Sequence, residues 1–520
     1  MSGRKRVAVI GAGASGLVTA RYLKKHGAEV VVFERYSGVG GQWDSASPYS
    51  GVWPSMRTNT CSVTTKFSDL EHPQDIPLYP RNQSILSYLQ KYAATYCLLE
   101  NIRFNTRVTL LEYAEDRWRI TALHKEQTVI CEEFDAVVVA SGRFTRPYIP
   151  DVDGLYAFTG KGGVSHSYRY KIPRQFRGMR VLVAGGSISA YEISTSLAME
   201  GAEQIITASR RAKYLAGRLY QGRSLEYFKH TRYERLLSET LSKKENVERT
   251  KTLLLETMGR PERYNSIKPD PDPVVAGTST SETFLSLVAE GYIFPKPWIS
   301  RIDGRTVYFS DGSCVHDVDA LIFCTGYDLE LPFLSEPLQQ IIQPTRKHIP
   351  LAWHTFHPDI STLAFIGFWF HSGSVFVSTE QQARMIAYEL CGVNKPTTRA
   401  ARLADFTKYM AAPQQHAKVN LFTFSYLLSE LGGFAPDMYA HPELARYLLF
   451  GPITPVTYRL SGVDALTDAP QRIIEEAAKF SVMTSGQFTE EEKQKLEQLA
   501  VRKNDGTFSA FVRKVIRNNN

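Results

Sequence analysis

Short, unbroken apolar runs set out the elements of this chain. Arg6–Ile10 (RVAVI) has the pattern of a buried strand; it is followed by a glycine-rich turn, the helix-like stretch LVTARYLKKHG and a second strand, Val30–Phe33 (VVVF). The same succession returns at Arg180–Ala184 (RVLVA), with a second glycine-bearing turn, the helix-like YEISTSLAMEG and the strand Gln204–Ala208. These two βαβ units are the one internal repeat the sequence shows. Ser84–Tyr96 predicts a helix, and Ile102–Thr109 with Trp118–Leu123 predict alternating strands of a meander. Phe134–Val139 (FDAVVV) and Asp319–Phe323 (DALIF) are further buried strands. From Tyr214 to Phe294 the chain turns polar and partly helical, including Lys243–Arg249 and the proline-rich Lys268–Val274, and reads as an excursion of the second unit. The most membrane-like run, Thr362–Val377, is broken by His371 and two glycines and falls short of the roughly 20 residues needed to span a bilayer. It predicts a buried strand with its following loop, and a helix begins near Thr379. In the tail, Thr489–Glu492 forms a capping box, and Phe508, Phe511, Val512 and Val515 share one apolar face beside Arg513, Lys514 and Arg517. That face is expected to dock on the protein body, with peripheral membrane contact as the alternative.

The first turn is Gly11-Ala12-Gly13-Ala14-Ser15-Gly16, a GxGxxG in its confirming context of strand, turn and helix. Gly11 permits the turn, Gly13 lets the backbone approach a pyrophosphate, and Gly16 lets helix and strand pack closely, while the helix N-terminus favours phosphate. Glu34, 18 residues beyond Gly16 and followed by Arg35, can accept the ribose hydroxyls and disfavours a 2′-phosphate. This site therefore suits FAD or NAD rather than NADP. The second turn, Gly185-Gly186-Ser187-Ile188-Ser189-Ala190, has Ser at the second glycine position and Ala at the third. A Ser187 Cβ stands where the backbone should come closest to phosphate, and Ala190 crowds the helix–strand packing, so phosphate is expected to bind on a shifted backbone using the Ser187 hydroxyl. The following strand ends in Ser209-Arg210-Arg211 with no carboxylate. Arginine can grip a 2′-phosphate bidentately, which assigns NADPH to this site and FAD to the first. A solvated loop is the alternative for the arginine pair.

Downstream of the first site, Gly38-Val39-Gly40-Gly41-Gln42-Trp43 resembles the GGxW element of the flavin-containing monooxygenases and their Baeyer–Villiger relatives. The resemblance continues in order along nearly the whole chain. It takes in Met56-Arg57-Thr58-Asn59-Thr60 with Phe67-Ser68-Asp69, the proline-stiffened linker ASGRFTRPYIPDVDG, Cys324-Thr325-Gly326-Tyr327-Asp328, the segment from His354 to Arg384, and Phe450 to Leu460. The stretch from Phe158 through Gly160 and His166 to Tyr170 is similar to the signature F-x-G-x3-H-x3-(Y/W), with five residues between Gly160 and His166 in place of three. His166 is otherwise an ordinary satisfied loop histidine. The chain departs from the family pattern in that gap, in the Ser/Ala second turn and at Cys324, a small buried residue rather than a nucleophile.

The resemblance implies an α/β protein of two Rossmann-like dinucleotide-binding domains, one for FAD and one for NADPH, the second inserted in the first. It implies monooxygenation through a flavin hydroperoxide, with Asn59 as the catalytic residue that supports the oxygenated flavin. The cofactor contacts it implies are Gly11, Gly13, Ala14, Ser15, Gly16, Glu34, Arg35, Gly41, Gln42, Trp43, Thr58, Asn59, Thr60, Val108, Ser141 and Gly142 on the FAD side. Gly185, Ser187, Ile188, Ser189, Arg210 and Arg211 belong to the NADPH side, and Thr325, Gly326 and Gln381 complete the set. Tyr170 points to the N- and S-oxidising branch, so the expected substrate is a small amine or sulfide, with O2. Ketone oxygenation of the Baeyer–Villiger type and an uncoupled NADPH oxidase or redox-sensing flavoprotein are the alternatives. His357, His371, Phe368, Trp369 and Phe370 are candidates for the substrate end, or else core. The expected division is an FAD-binding domain over 1–150 and 326–475, an NADPH-binding domain over 151–325 with its insertion at about 214–294, and a helical tail over 476–520.

Composition narrows the classes further. The 520 residues carry 61 Lys and Arg against 53 Asp and Glu, a dispersed +8 that gives no reason to expect nucleic acid. The six cysteines lack metal-ligand spacing and fit a reducing compartment. With a strand starting at Arg6 there is no room for a signal peptide, and a cytoplasmic protein without a transmembrane segment is expected. Oligomeric state and substrate identity have no motif.

Overall fold

The computed structural model describes residues 4–413, 418–479 and 483–517. It is built on two parallel sheets. In the first, the strands run in the order Phe356–His357, Ile360–Phe365, Ala136–Val139, Arg6–Ile10, Glu29–Phe33 and Ile102–Arg103, all parallel except the edge strand Phe356–His357. In the second, Ile293–Lys296, Gln204–Ala208, Arg180–Ala184, Ala320–Phe323 and Gly163–His166 are all parallel. Every strand of the second sheet falls in sequence between Ala136–Val139 and Phe356–His357 of the first. Continuous burial along Val7–Ile10, Ala136–Val139, Val181–Ala184 and Ala320–Phe323 explains the unbroken apolar runs, since both faces of each strand are covered.

Three readings of the sequence shift by a few residues for identifiable reasons. Phe134–Val139 is not one strand. Phe134 ends the third strand of the antiparallel meander Thr106–Ala114, Arg117–His124 and Thr128–Phe134, and Ala136 starts a strand of the first sheet. The break is at Asp135, whose carboxylate accepts the Arg6 N–H at 2.6 Å and pairs with Arg117 at 2.7 Å. The helix expected near Thr379 begins at Val375, because the Ser374 hydroxyl accepts the Phe376 N–H and caps it. The end of the polar excursion, Ile293–Lys296, is an edge strand of the second sheet, a place where Pro295 is tolerated.

The excursion does not stay with the second sheet. Its helix Arg232–Thr240 places Tyr233 and Leu237, one turn apart, into an apolar cluster with the C-terminal helices, where the Tyr233 ring stacks on Phe450 at 4.8 Å. The tail joins the same cluster. The Thr489–Glu492 capping box opens the helix Glu490–Lys503, and Phe508, Phe511, Val512 and Val515 are buried against Leu496 and Leu499. The amphipathic face is thus spent inside the protein. Among the described residues, no helix is long and apolar enough to cross a membrane.

A buried polar network ties the two ends of the chain together. Tyr22 donates to Glu380 at 2.6 Å, the Ser68 N–H donates to the same carboxylate at 2.8 Å, and Arg459 donates to the Tyr22 and Ser68 oxygens at 2.8 and 2.7 Å. Arg459 also reaches the Asp464 carbonyl, while the Asp464 carboxylate pairs with Lys25 and His26 and accepts the Tyr388 hydroxyl.

Candidate active site

The first glycine turn is sterically committed. A Cβ on Gly16 would stand 1.8 Å from the Gly11 carbonyl oxygen, so helix Ala14–Lys25 leaves strand Arg6–Ile10 at a distance only glycine allows. Gly13, at the helix N-cap, has no side chain to bond the first-turn N–H groups. The GGxW segment lies directly across from it. The Gly40 N–H donates to the Ala12 carbonyl at 3.0 Å, and a Cβ on Gly41 would come within 3.0 Å of the Gly13 Cα. Two glycine backbones therefore face one another at an uncapped helix N-terminus, a cradle suited to a phosphate group. The Gln42 amide holds the next turn, donating to the Tyr49 carbonyl and accepting the Gly51 N–H, and Trp43 packs against Phe376. Glu34 sits at the end of the second strand and accepts the Ala12 and Tyr36 N–H groups at 2.7 and 2.8 Å. Burial raises its carboxyl above the usual range against those donors. Arg35 is exposed and stacks on Tyr49.

The second turn solves the same problem differently. Gly185 has φ +148° and no room for a Cβ beside the Cys324 carbonyl, but Ala190 is accommodated in the apolar cluster under the sheet. Ser187 is extended (φ −114°, ψ 174°), a conformation open to any residue, and its hydroxyl does not cap its own helix. Ser187 and Ile188 are exposed at the helix N-terminus beside the half-buried Ser189. Ala190 is thus buried in the apolar cluster under the sheet. Arg210 and Arg211 are exposed at the strand end, with the Arg210 guanidinium over the Trp298 ring at 4.8 Å. Next to them opens a cleft lined by Gly185, Thr207, Ser209, Lys213 and Lys296 and by Pro261 and Ser266 of the excursion. Lys213 and Lys296 escaped the sequence reading because they stand outside any motif. Only the fold brings them together.

The loop of Thr58, Asn59 and Thr60 lies beside Pro80, whose carbonyl accepts the Thr58 N–H at 2.9 Å. The Thr58 hydroxyl donates to the Thr60 carbonyl, and Thr60 bonds Thr65. Asn59 Oδ1 is buried and has no partner, and Ser141 Oγ is in the same condition. Such atoms are costly unless a ligand completes them. The loop is anchored by a residue the sequence did not single out. Glu226, nine-tenths buried in the excursion, accepts the Cys61 N–H at 2.6 Å and the Thr64 hydroxyl at 2.9 Å. Its only sequence signal is an acidic residue within the apolar stretch Leu225–Phe228.

The linker is stitched at one point. His166 Nε2 donates to the Gly326 carbonyl at 3.0 Å and Nδ1 accepts the Tyr168 N–H, while burial drops its pKa to about 4, so the ring is neutral and satisfied. Gly326 also accepts the Tyr148 N–H, Thr325 donates to the Tyr148 carbonyl, and Gly142 stands at the other side of the crossing with φ +81°. Cys324 is buried and its thiol is pushed up to about 12, which leaves it un-ionised. Tyr170 is buried, with its hydroxyl on Ser196 and its ring against Trp53.

Several other candidates make contacts within the protein. Val108 is buried at an irregularity of the meander. Gln381 is fully buried, donating to the Val377 carbonyl and accepting from Arg384, so both ends of its amide are engaged within the protein. Its neighbour Gln382 ties the Trp369 indole and the Gly367 N–H to the Thr355 hydroxyl. Phe368 packs on Phe365, and buried His357 packs on Phe406. Of the aromatic triplet, Phe370 alone is exposed. The His371 side chain lies outside the described residues.

The Flavin-binding monooxygenase-like family matches residues 4–505. The chain belongs to that family. Flavin-containing monooxygenase 2 of Homo sapiens is 28% identical over 93% of this chain and 95% of its own length. Dimethylaniline monooxygenase [N-oxide-forming] 2 of Cavia porcellus is 29% identical over 88% of this chain and 89% of its own. The S-allyl-L-cysteine S-oxygenase of Allium sativum superposes with a TM-score of 0.62 at 23% identity, covering 84% of this chain and 90% of that one. A cyclohexanone monooxygenase in its open form gives 0.61 at 17%, covering 83% and 98%. These two structures share the fold. The protein is thus a monooxygenase, an oxidoreductase of a family that uses a flavin.

Proposed function

We propose that this monooxygenase binds FAD at the first glycine turn and NADPH at the second, and places one oxygen atom of O2 on a small amine or sulfide. The observation that carries this reading is the opposed chemistry of two similar cradles, together with a loop of unsatisfied polarity. Glu34 closes the first site with a carboxylate, while Arg210, Arg211, Lys213 and Lys296 surround the second with cations. A carboxylate suits ribose hydroxyls, and clustered cations suit a 2′-phosphate.

Gly13, Ala14, Ser15 and Gly41 would hold the FAD pyrophosphate at the uncapped helix N-terminus, with Gly11 and Gly16 fixing the turn. Ser187, Ile188 and Ser189 would do the same for NADPH, the exposed Ser187 hydroxyl adding a donor. The flavin, once bound, supplies the electron transfer and the activation of O2. Asn59 would complete its buried Oδ1 against a hydrogen-bond donor of the bound cofactors and hold them in place, and Ser141 would do so through its hydroxyl. Glu226 keeps that loop in position from the far side. Neutral His166, bonded to Gly326, holds the crossing between the two sheets and keeps the loops packed against water. The N-oxide-forming and S-oxygenase relatives, together with Tyr170, support an amine or sulfide substrate.

The same reading takes the chain as two nested nucleotide-binding domains, over about 1–150 with 326–475 and 151–325, followed by the tail, a division supported by the nesting of the sheets. A cytoplasmic location is supported by six free cysteines. Anaerobic titration of the purified flavoprotein tests the proposal. NADPH should bleach the flavin absorbance at least about tenfold faster than NADH. Equal rates, or no bleaching by either, would remove it.

A further inference from the structure

A second hollow opens on residues that follow the strands Ala136–Val139 and Ala320–Phe323. Its walls are apolar and largely aromatic, formed by Phe144, Tyr327, Leu329 and Phe370. Its charged lining is entirely cationic: Arg143, Arg346 and Lys347. Two of these cations are already answered, since Arg346 and Lys347 both pair with Asp328. Arg143 is different. Its guanidinium lies over the Phe370 ring, Nη1 is buried without a hydrogen-bond partner, and its one hydrogen bond is a 3.5 Å contact from Nη2 to the Lys347 carbonyl. Among the described residues, no carboxylate pairs with it. Burial pulls its pKa down to about 9, the mark of a cation held away from water without a counter-charge.

A guanidinium buried without an anion is strongly unfavourable, and its planar fork matches a carboxylate in shape and charge. The aromatic walls leave room for an apolar body beside that carboxylate. We propose that this cavity is a subsite for the carboxylate of an apolar, carboxylate-bearing small molecule, with Arg143 as its anchor. Arg143 follows directly on Ser141 and Gly142, so the subsite adjoins the crevice assigned above to the flavin. It would select, among amines and sulfides, those that carry an acid group. This deepens the proposed function and rests on it for the substrate role, but binding at the subsite is measurable without turnover.

The test uses the flavin-loaded protein and a matched pair of probes, 3-phenylpropionate and 3-phenylpropan-1-ol, with binding followed by calorimetry. The wild type should bind the acid at least about tenfold more tightly than the alcohol, the effect of one charge-assisted pair. Arg143→Met should abolish the preference, and Arg143→Lys should keep part of it. Flavin content and NADPH affinity of Arg143→Met identify the anion's source. Both should stay at the wild-type level, and the melting temperature should not fall, because a half-buried charge without a counter-ion has been removed. Equal binding of acid and alcohol by the wild type, or a preference that survives Arg143→Met, overturns the proposal. So does a loss of flavin or of NADPH affinity with the acid preference intact, since Arg143 would then serve a cofactor phosphate. If the acid preference holds as expected but no sulfide or amine is turned over, the fault lies with the proposed function and not with the subsite.

Discussion

Glu226 offers the sharpest separation between holding the Asn59 loop and holding the fold. Its carboxylate accepts from the Cys61 N–H and from the Thr64 hydroxyl, and Thr64 has a second acceptor in the Cys61 carbonyl at 3.1 Å. In Glu226→Gln, the amide oxygen can keep the Cys61 N–H while its NH2 donates to Thr64 Oγ1, whose proton turns to the Cys61 carbonyl. Both contacts survive, and only the charge assistance is lost. Burial raises the Glu226 pKa, so removing the charge also relieves a desolvation penalty. The net change should stay within about 1 kcal/mol. Glu226→Ala leaves the buried Cys61 N–H without its acceptor, about 1–3 kcal/mol, and removes one buried methylene, about 0.8 kcal/mol. A loss of about 2–4 kcal/mol follows. Urea unfolding measures the stability, and hydrogen peroxide released per NADPH consumed measures how well the Asn59 loop does its work. Glu226→Ala should release more peroxide than the wild type, and Glu226→Gln should stay close to it. A Glu226→Ala protein as stable and as coupled as the wild type would refute the reasoning. Equal damage from Gln and Ala would show that charge, rather than an acceptor in place, is what the loop needs.

Three further predictions rest on separate parts of the molecule. Gly16→Ala should abolish flavin retention in the purified protein, because its Cβ meets the Gly11 carbonyl oxygen, whereas Ala190→Gly should keep cofactor affinity and lose only about 1–2 kcal/mol by denaturation from helix propensity and a buried methyl. Burial alone would raise the Asp464 pKa, but hydrogen bonds from His26, Lys25 and Tyr388 overcome it and hold the carboxyl far below the usual range. With its folded pKa depressed, Asp464 stabilises the protein above the unfolded value of about 3.9, and that contribution fades as pH falls toward the folded pKa. Asp464→Asn should therefore lose about 2–3 kcal/mol at neutral pH, and melting curves of variant and wild type should converge below about pH 4. Arg210→Ala and Lys213→Ala should each raise the NADPH KM about tenfold with little change for NADH, and the larger effect identifies the group nearer the 2′-phosphate.

Much of the scaffold was readable in the sequence, because parallel strands covered on both faces must be continuously apolar and the turns that follow them must carry glycine. The strands Arg6–Ile10 and Arg180–Ala184 announce themselves in this way, and Gly16 is dictated by a carbonyl. What resisted reading is what depends on long-range placement. Ala190 suggested crowding by analogy with the first turn, but the second helix sits where its methyl is packed in an apolar cluster. The bonds of Gln381 to Val377 and Arg384, and of the Trp369 indole to Gln382, likewise depend on placement that the matching segment does not disclose. Glu226, Lys213, Lys296 and Arg143 carry no motif, and each gains its meaning from a partner or cavity distant in sequence. The tail was legible as an amphipathic face, but the Arg232–Thr240 helix that joins the same apolar cluster was not.

The proposed reaction uses NADPH to place one atom of O2 on a soft nucleophile. Turnover of an amine or sulfide under isotopically labelled dioxygen tests it most directly, with product mass and NADPH consumption followed together. The account predicts one labelled oxygen in each product molecule, none from water, and about one NADPH consumed for each. Unlabelled product, or NADPH consumed with all of the label recovered as hydrogen peroxide, would contradict it.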